Sequence, residues 1–333
     1  MPTILFTSAG RRVSLLRNFR EAMSALGVRG KIVTADMRPD APAHHLADER
    51  VALPPIDAPD YVPAVMDACA EHGVDLIVPI LDAELPVLAP QRDAFRRRGV
   101  RVVVSSPATV ATCRDKRATF DFFTRGGFAT PHTIHGREAL EAYQGPFPAL
   151  LKPALGSSSH GVEVVHDREE LRFFAARTDE PVLQEYQTGD EYTLDVFCDL
   201  TGRARCVVPR MRIQTRGGEV SKGMTVRDPG IIEAGRAVAE ALPGARGPLN
   251  IQCFRGADGE PTFIEINPRF GGGYPLSARA GADFARWLLA LHLGRDPGIA
   301  EDWQDGLVMM RYDEAVFAPR ESLTRAPSTH ALT

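Results

Sequence analysis

Through the first 105 residues, short apolar runs alternate with longer segments in which apolar residues recur every three or four positions. That pattern predicts strands over 3–8, 31–36, 75–80 and 101–105, with helices over 12–26, 60–72 and 84–98. Strand–helix alternation of this kind builds a parallel sheet. Such a sheet takes ligands beyond the C-terminal ends of its strands, where three loops fall: Thr7 to Arg11, Asp36 to Arg38, and Pro79 to Glu84.

Farther along, the period changes to two. In Phe263-Ile264-Glu265-Ile266-Asn267-Pro268-Arg269-Phe270 the alternation puts Glu265 and Asn267 on one face of a strand, and Pro268, which cannot donate to a ladder, ends it. Gly247 to Phe254 reads as a partner strand, joined through the turn signal Gly256-Ala257-Asp258-Gly259, so Gln252 can face Glu265. Two amide oxygens and one carboxylate make a hard, weakly charged ligand set suited to Mg²⁺ that shares its coordination sphere with phosphates. Arg269, emerging beside them, can meet a phosphoryl group bidentately. A plain hairpin with Glu265 salt-bridged to Arg269 fits the same residues.

Two lysines precede this hairpin at predicted element ends. Lys116 opens a helical segment after Cys113-Arg114-Asp115, and Lys152 closes the buried strand Phe147 to Pro153. Four residues later, Gly156-Ser157-Ser158-Ser159-His160-Gly161 is a loop of small residues that can curl its N–H groups around anionic oxygens. It has little to pack, so it is expected to order only with phosphate bound; a mobile hairpin turn is the plainer alternative. Neither a G-x-x-x-x-G-K-[ST] loop nor a G-x-G-x-x-G fingerprint occurs.

Lysine, glycine loop and acidic strand in this order resemble the ATP-grasp superfamily, most closely single-module relatives of the carbamoyl phosphate synthetase large subunit. Further matching motifs are Gln184-Glu185-Tyr186 and Gly189-Asp190-Glu191, and the likeness runs over nearly the whole chain. The resemblance implies an N-terminal parallel α/β domain followed by a two-part α+β grasp fold that grips ATP between two antiparallel sheets. It implies domains at 1–112, 113–187 (a lid) and 188–333. Lys116 and Lys152 would contact the nucleotide phosphates, and Gly156, Ser157, Ser158, Ser159 and Gly161 would fold over them. Gln184, Glu185 and Tyr186 would lie at the adenine hinge, and Glu191 would take the ribose hydroxyls. Gln252, Glu265 and Asn267 would hold two Mg²⁺ ions, or Mn²⁺ in their place, and Arg269 would stabilise the transferring phosphoryl group.

In such enzymes the N-terminal domain supplies part of the non-nucleotide site, which makes Ser8, Arg11 and Asp82 candidates; turns and helix caps use the same residue types. Arg210 and Arg212 alternate along one predicted hairpin face, with Arg216, Gly217, Gly218 and Lys222 following. Arg210, Arg212 and Lys222 could hold a carboxylate, a phosphate or bicarbonate, or could form a solvated strand face. Gly272, in the run Gly271-Gly272-Gly273, lets backbone approach a ligand closely.

Composition narrows this little. The chain has 333 residues, 44% hydrophobic and 25% charged, enough for two or three units with cores of their own. With 39 basic and 43 acidic residues, a net charge of −4 gives no footprint for nucleic acid or an anionic membrane. Five widely spaced cysteines suit reduced thiols in a cytosol. No signal-like segment or spanning run is seen, and residues 324–333 read as a frayed tail. The expected activity is a cytoplasmic ATP-dependent carboxylate–amine ligase that phosphorylates a small carboxylic acid and passes its acyl group to an amine, with a homodimer as a candidate assembly. Phosphorylation of bicarbonate or carbamate, and a non-catalytic nucleotide sensor, are the alternatives.

Overall fold

The protein is described here by a computed structural model covering residues 1–156, 160–256 and 259–323. The middle of the 156–161 loop, two residues of the 256–259 turn and the 324–333 tail, for each of which an expectation was stated, lie outside the described residues.

The N-terminal strands are β1 (Thr3–Thr7), β2 (Lys31–Asp36), β3 (Glu49–Ala52), β4 (Leu76–Pro79) and β5 (Arg101–Val102). All pair in parallel, in the order β3-β2-β1-β4-β5. Helices α1 (Val13–Ala25) and α2 (Tyr61–His72) fall where the period predicts. The strand order reverses between β1 and β4, so the crevice there is the place for a ligand.

Three predicted features differ. The half-buried edge strand β3 has too short and mixed a pattern to read as a strand. The helix expected over 84–98 is broken into 3₁₀ turns and the short helices α3 (Leu85–Leu88) and α4 (Arg92–Arg97), because Pro86 and Pro90 each stand at the start of a new piece and cannot donate within a longer one. The strand expected over 101–105 stops pairing after Val102. Beyond it Ser105 Oγ accepts from Arg246 N at 3.1 Å and Ser106 Oγ donates to Pro243 O at 2.6 Å, so the chain turns toward the C-terminal half.

Helix α5 (Pro107–Arg114) leads into α6 (Lys116–Arg125), whose first turn is capped by the Asp115 carboxylate accepting from Arg117 N at 2.9 Å. The lid carries β6 (Thr133–His135), α7 (Arg137–Glu141), β7 (Ala149–Pro153), β8 (Glu163–Val165), α8 (Arg168–Ala175) and β9 (Pro181–Glu185). Its strands form an antiparallel sheet in the order β6-β9-β7-β8, over a small core that includes Leu140, Leu151 and Leu183.

The largest sheet is antiparallel, in the order β14-β13-β10-β11-β12-β15. It comprises β10 (Asp190–Cys198), β11 (Ala204–Arg216), β12 (Glu219–Thr225), β13 (Gly247–Arg255), β14 (Pro261–Asn267) and β15 (Val308–Met310). Helix α9 (Pro229–Ala241) backs it through a core containing Leu194, Val196, Val207, Leu249, Ile251 and Ile266. Helices α10 (Tyr274–Arg279) and α11 (Phe284–His292) share a second core with β1 and α1. In that core Phe6, Phe19, Phe270 and Tyr274 stack in sequence, with centroids 5.0, 5.7 and 4.8 Å apart, which fixes the N-terminal sheet against the segment following β14. No helix among the described residues is long and apolar enough to cross a membrane.

Candidate active site

Antiparallel pairing sets directly opposed residues on the same face. Thr193 opposes both Arg210 and Gln252, Gln252 opposes Glu265, and Asn250 opposes both Asp195 and Asn267. One face of the large sheet therefore collects Glu191, Thr193, Asp195, Arg210, Arg212, Asn250, Gln252, Glu265 and Asn267. Its other face is the apolar one against α9. The predicted register of the hairpin holds, with an irregularity just past Gln252.

Asn267 Nδ2 donates to Glu265 Oε1 at 3.1 Å, so the two expected ligands lie together. Arg212 Nη1 reaches Gln252 Oε1 at 3.4 Å and Glu191 at 3.2 Å, while Arg212 Nη2 donates to Gly218 O at 2.9 Å. Among the described residues no three His, Cys, Asp or Glu side chains cluster for a metal. The set Gln252, Glu265 and Asn267 holds a single carboxylate, and its oxygens fit Mg²⁺ that completes its shell with phosphate and water.

Opposite this face stand the lysines. An isolated bridge pairs Asp115 with Leu155, and Lys116 N donates to Ala154 O at 3.1 Å, which ties the start of α6 to the chain leaving β7. Lys116 Nζ then lies 3.4 Å from Gly156 O. Lys152 is buried; its Nζ donates to Gln184 Oε1 at 2.7 Å, and Gln184 Nε2 donates to Thr133 Oγ1 at 2.9 Å. Burial lowers the pKa of Lys116, with Glu265 pulling the other way, and the same two influences bring Lys152 down to about 8. Burial also raises the pKa of Glu191 against the pull of Arg212. Two desolvated ammoniums facing one carboxylate are short of negative charge. Arg210 Nη1, Arg212 Nε and Arg269 Nε are buried donors without a partner among the described residues, and such groups cost about 1–3 kcal/mol each when unpaired. A polyphosphate carries the acceptors and charge that this surplus fits.

The remaining expectations divide. Glu185 is exposed and Tyr186 is 42% exposed; Glu185 N donates to His132 O at 2.9 Å, and the stretch joins the last lid strand to the first strand of the large sheet. Arg269 is not bridged to Glu265. Its Nη2 lies 2.5 Å from Asp82 Oδ2, a contact between β14's exit and the loop after β4. Arg210 is no solvated strand cation: it is 1% exposed, with Nε and Nη2 on the Asp195 carboxylate at 2.7 and 3.1 Å. Asn250 Nδ2 and Ser277 Oγ donate to the same carboxylate at 2.9 and 2.6 Å. The glycine run is a matter of clearance over this cluster: a Cβ on Gly271 would stand 2.9 Å from Asn250 Cγ, and one on Gly273 2.9 Å from Arg210 Cζ. A Cβ on Gly272 would stand 3.2 Å from Glu219 Oε1.

Lys222 is exposed on β12, in register with Gln214 and Met310 near the sheet edge, away from the cluster. Ser8, held at φ 49°, donates through Oγ to Glu84 Oε2 at 3.2 Å, which gives it a local structural bond. Glu84 is fully buried and also accepts from Tyr61 OH at 2.9 Å and from Ile80 N at 2.7 Å; burial raises its pKa. Arg11 is exposed, while its neighbour Arg12 reaches Glu219 at 3.4 Å. Glu219 also receives Arg311 at 3.0 Å. Sequence reasoning missed Asp195, Glu84, Arg12 and Glu219. Asp195 alone carried a signal, as the third polar residue at alternate positions after Glu191 and Thr193.

Residues 4–103 match the family model described as PylC-like, N-terminal domain, and residues 177–315 the one described as ATP-grasp in the biosynthetic pathway with Ter operon. The arginine-specific carbamoyl phosphate synthase large chain of Oryza sativa subsp. japonica is 23% identical, over 76% of this chain and 24% of that one. The 3-methyl-D-ornithine–L-lysine ligase of Methanosarcina mazei is 25% identical, over 79% and 65%. The chain thus spans less than two thirds of the length of these curated relatives. The solved L-amino acid ligase of Bacillus licheniformis superposes with a TM-score of 0.70 at 18% identity, covering 90% of this chain and 78% of that one.

Proposed function

We propose that the chain is an ATP-grasp enzyme and, more narrowly, an ADP-forming carboxylate–amine ligase acting on small molecules, a reading supported by the family-model match over residues 177–315 and by the shared fold. The observation that carries the proposal is the polar sheet face: Gln252, Glu265 and Asn267 stand across from two under-neutralised lysines, Lys152 buried and Lys116 half-buried. In this reading ATP sits between lid and large sheet. Lys116, Lys152 and the 156–161 loop hold its phosphates, Gln184 to Tyr186 line the adenine, and Glu191, braced by Arg212, takes the ribose. Two Mg²⁺ ions bound by the three oxygen ligands supply charge neutralisation at the phosphates.

A substrate carboxylate oxygen attacks the γ-phosphorus, the bond to the β-phosphate oxygen breaks, and ADP leaves. Arg269 stabilises the charge spread over the transferring group, and Arg210, held from behind by Asp195, offers Nη1 toward the acid. The amine, once it has lost its ammonium proton to solvent, attacks the acyl carbon through its lone pair; phosphate departs with its bridging oxygen and takes up the proton that the nitrogen sheds as the amide forms. Positioning and fixed charges supply most of the catalysis, so no covalent enzyme nucleophile is needed. Residues 1–112 serve the non-nucleotide site, 113–187 the lid, and 188–333 the metal-binding half. The homodimer and the cytoplasmic location remain part of the proposal.

The test is a panel of carboxylic acids, amino acids and bicarbonate, each assayed for Mg²⁺-dependent ADP release with hydroxylamine present. One organic acid should give ADP, phosphate and a hydroxamate together. ADP release with bicarbonate alone would move the assignment to bicarbonate phosphorylation, and no ADP with any acid would favour the sensor.

A further inference from the structure

We propose that Asp82 is the receptor for the ammonium group of the amine substrate, an inference that rests on the ligase reading for the fate of that amine but not for its binding. Asp82 is 7% exposed and lines the crevice that also holds Lys116, Gly156, Glu265 and Asn267. Its Oδ2 is taken by Arg269 Nη2 at 2.5 Å. Its Oδ1 is closed off from solvent and has no hydrogen-bond partner among the described residues. A carboxylate oxygen can only accept, so the missing partner is an N–H or O–H donor, and a positively charged one binds best. In this structure the oxygen is closed to water, so a donor reaches it only when the crevice wall gives way, and a charged donor best offsets the cost of an unpaired carboxylate oxygen.

The neighbouring charges agree with this. Among the described residues Arg11, Arg12, Arg269 and Arg311 surround Asp82 and Glu219 at this junction, so the cluster carries an excess of positive charge and suits the acid's carboxylate. Against that positive background the open carboxylate oxygen of Asp82 marks a place where a cationic nitrogen can rest. Asp82 also reaches the pocket from the loop after β4, at the switch point of the parallel sheet, on the opposite side from the metal hairpin. An ammonium on Oδ1 would stand beside the Arg269 guanidinium, which the ligase reading places on the group that the amine must attack.

The experiment measures binding of primary amines and amino acids, each beside its N-acetylated counterpart, to the full chain with Mg·AMP-PNP present. At least one free amine should bind about tenfold or more tightly than its acetylated form, as loss of a charge-assisted hydrogen bond predicts. Asp82→Asn should reduce that preference to within about threefold, and Asp82→Glu, which keeps the charge, should retain part of it. Intact Mg·AMP-PNP binding in each variant certifies the fold. In turnover, Asp82→Asn should raise KM for the amine more than KM for the acid. A parent protein that binds no amine better than its acetylated form overturns the proposal, as does an Asp82→Asn variant with the full preference, or one whose KM rises for the acid alone. Absence of acid-dependent ADP release beside an intact ammonium preference would remove the ligase reading and leave the receptor standing.

Discussion

The two faces of the large sheet are written by one period-two pattern, yet they are held by different physics. On the face against α9, Leu194, Val196, Ile251 and Ile266 are wholly buried and interchangeable in kind: any apolar side chain of the right volume fills the space. On the other face, Asp195, Arg210, Asn250 and Asn267 are also buried but each is fixed by a named partner, and among the described residues Arg210 Nη1 and Arg212 Nε remain unpaired. A buried face with surplus donors is a poor way to gain stability, and a good way to prepare a site for an anion.

The sharpest way to break this comparison is Glu265→Ala. Removing the only carboxylate of the proposed metal set should lower turnover by about a thousandfold or more, as expected for losing several kcal/mol of charge stabilisation, while the thermal midpoint barely moves. Equal losses of stability and activity would make Glu265 a structural residue. Next comes Asp195→Ala, which leaves Arg210 buried without its counter-charge. It should cost about 3–5 kcal/mol in denaturant unfolding, unlike other polar-face changes, and a cost near zero would mean that the cluster is not held together by that pair. On the apolar face Ile251→Ala should cost about 2–5 kcal/mol, with the nucleotide Kd unchanged in the folded fraction. An altered Kd would show that the faces are coupled through the sheet.

The smallest expected effect is a pH dependence. Burial brings the Lys152 pKa down to about 8, and a phosphate beside it favours the ammonium, so binding raises that pKa again. Affinity for Mg·ATP should be level below about pH 8 and fall by up to about tenfold per unit above it, until the pKa of the complex is reached. Titrations at pH 7 and 9 check this. Lys152→Met should bind more weakly at both and lose the slope; a parent protein with no slope would remove the lysine from the phosphates.

How far the sequence could be read follows from the same division. Local periodicity and turn chemistry placed β1, β2, β4 and the Gln252–Glu265 register, because each depends on residues close in the chain. The break in the helix after Asp82 was visible in Pro86 and Pro90 but was overridden by the apolar spacing around them. Choice of partner was not legible. Asp82 and Arg269 are 187 residues apart, and nothing near either says that they meet; the Phe6-to-Tyr274 stack that brings their segments together is itself long-range. Whether Arg210 is a ligand or a solvated strand cation stayed open in the sequence because its burial depends on Asp195, Asn250 and Ser277, which come from three other elements.

The central claim, that the polar face transfers the γ-phosphoryl group to a carboxylate, is tested most directly by following oxygen. With the acid that supports ADP release, labelled with ¹⁸O in its carboxylate, and with Mg·ATP and an amine or hydroxylamine, mass spectrometry of the released phosphate should find one ¹⁸O atom per turnover. Acid-dependent ADP release that yields phosphate free of the label would contradict an acyl-phosphate intermediate.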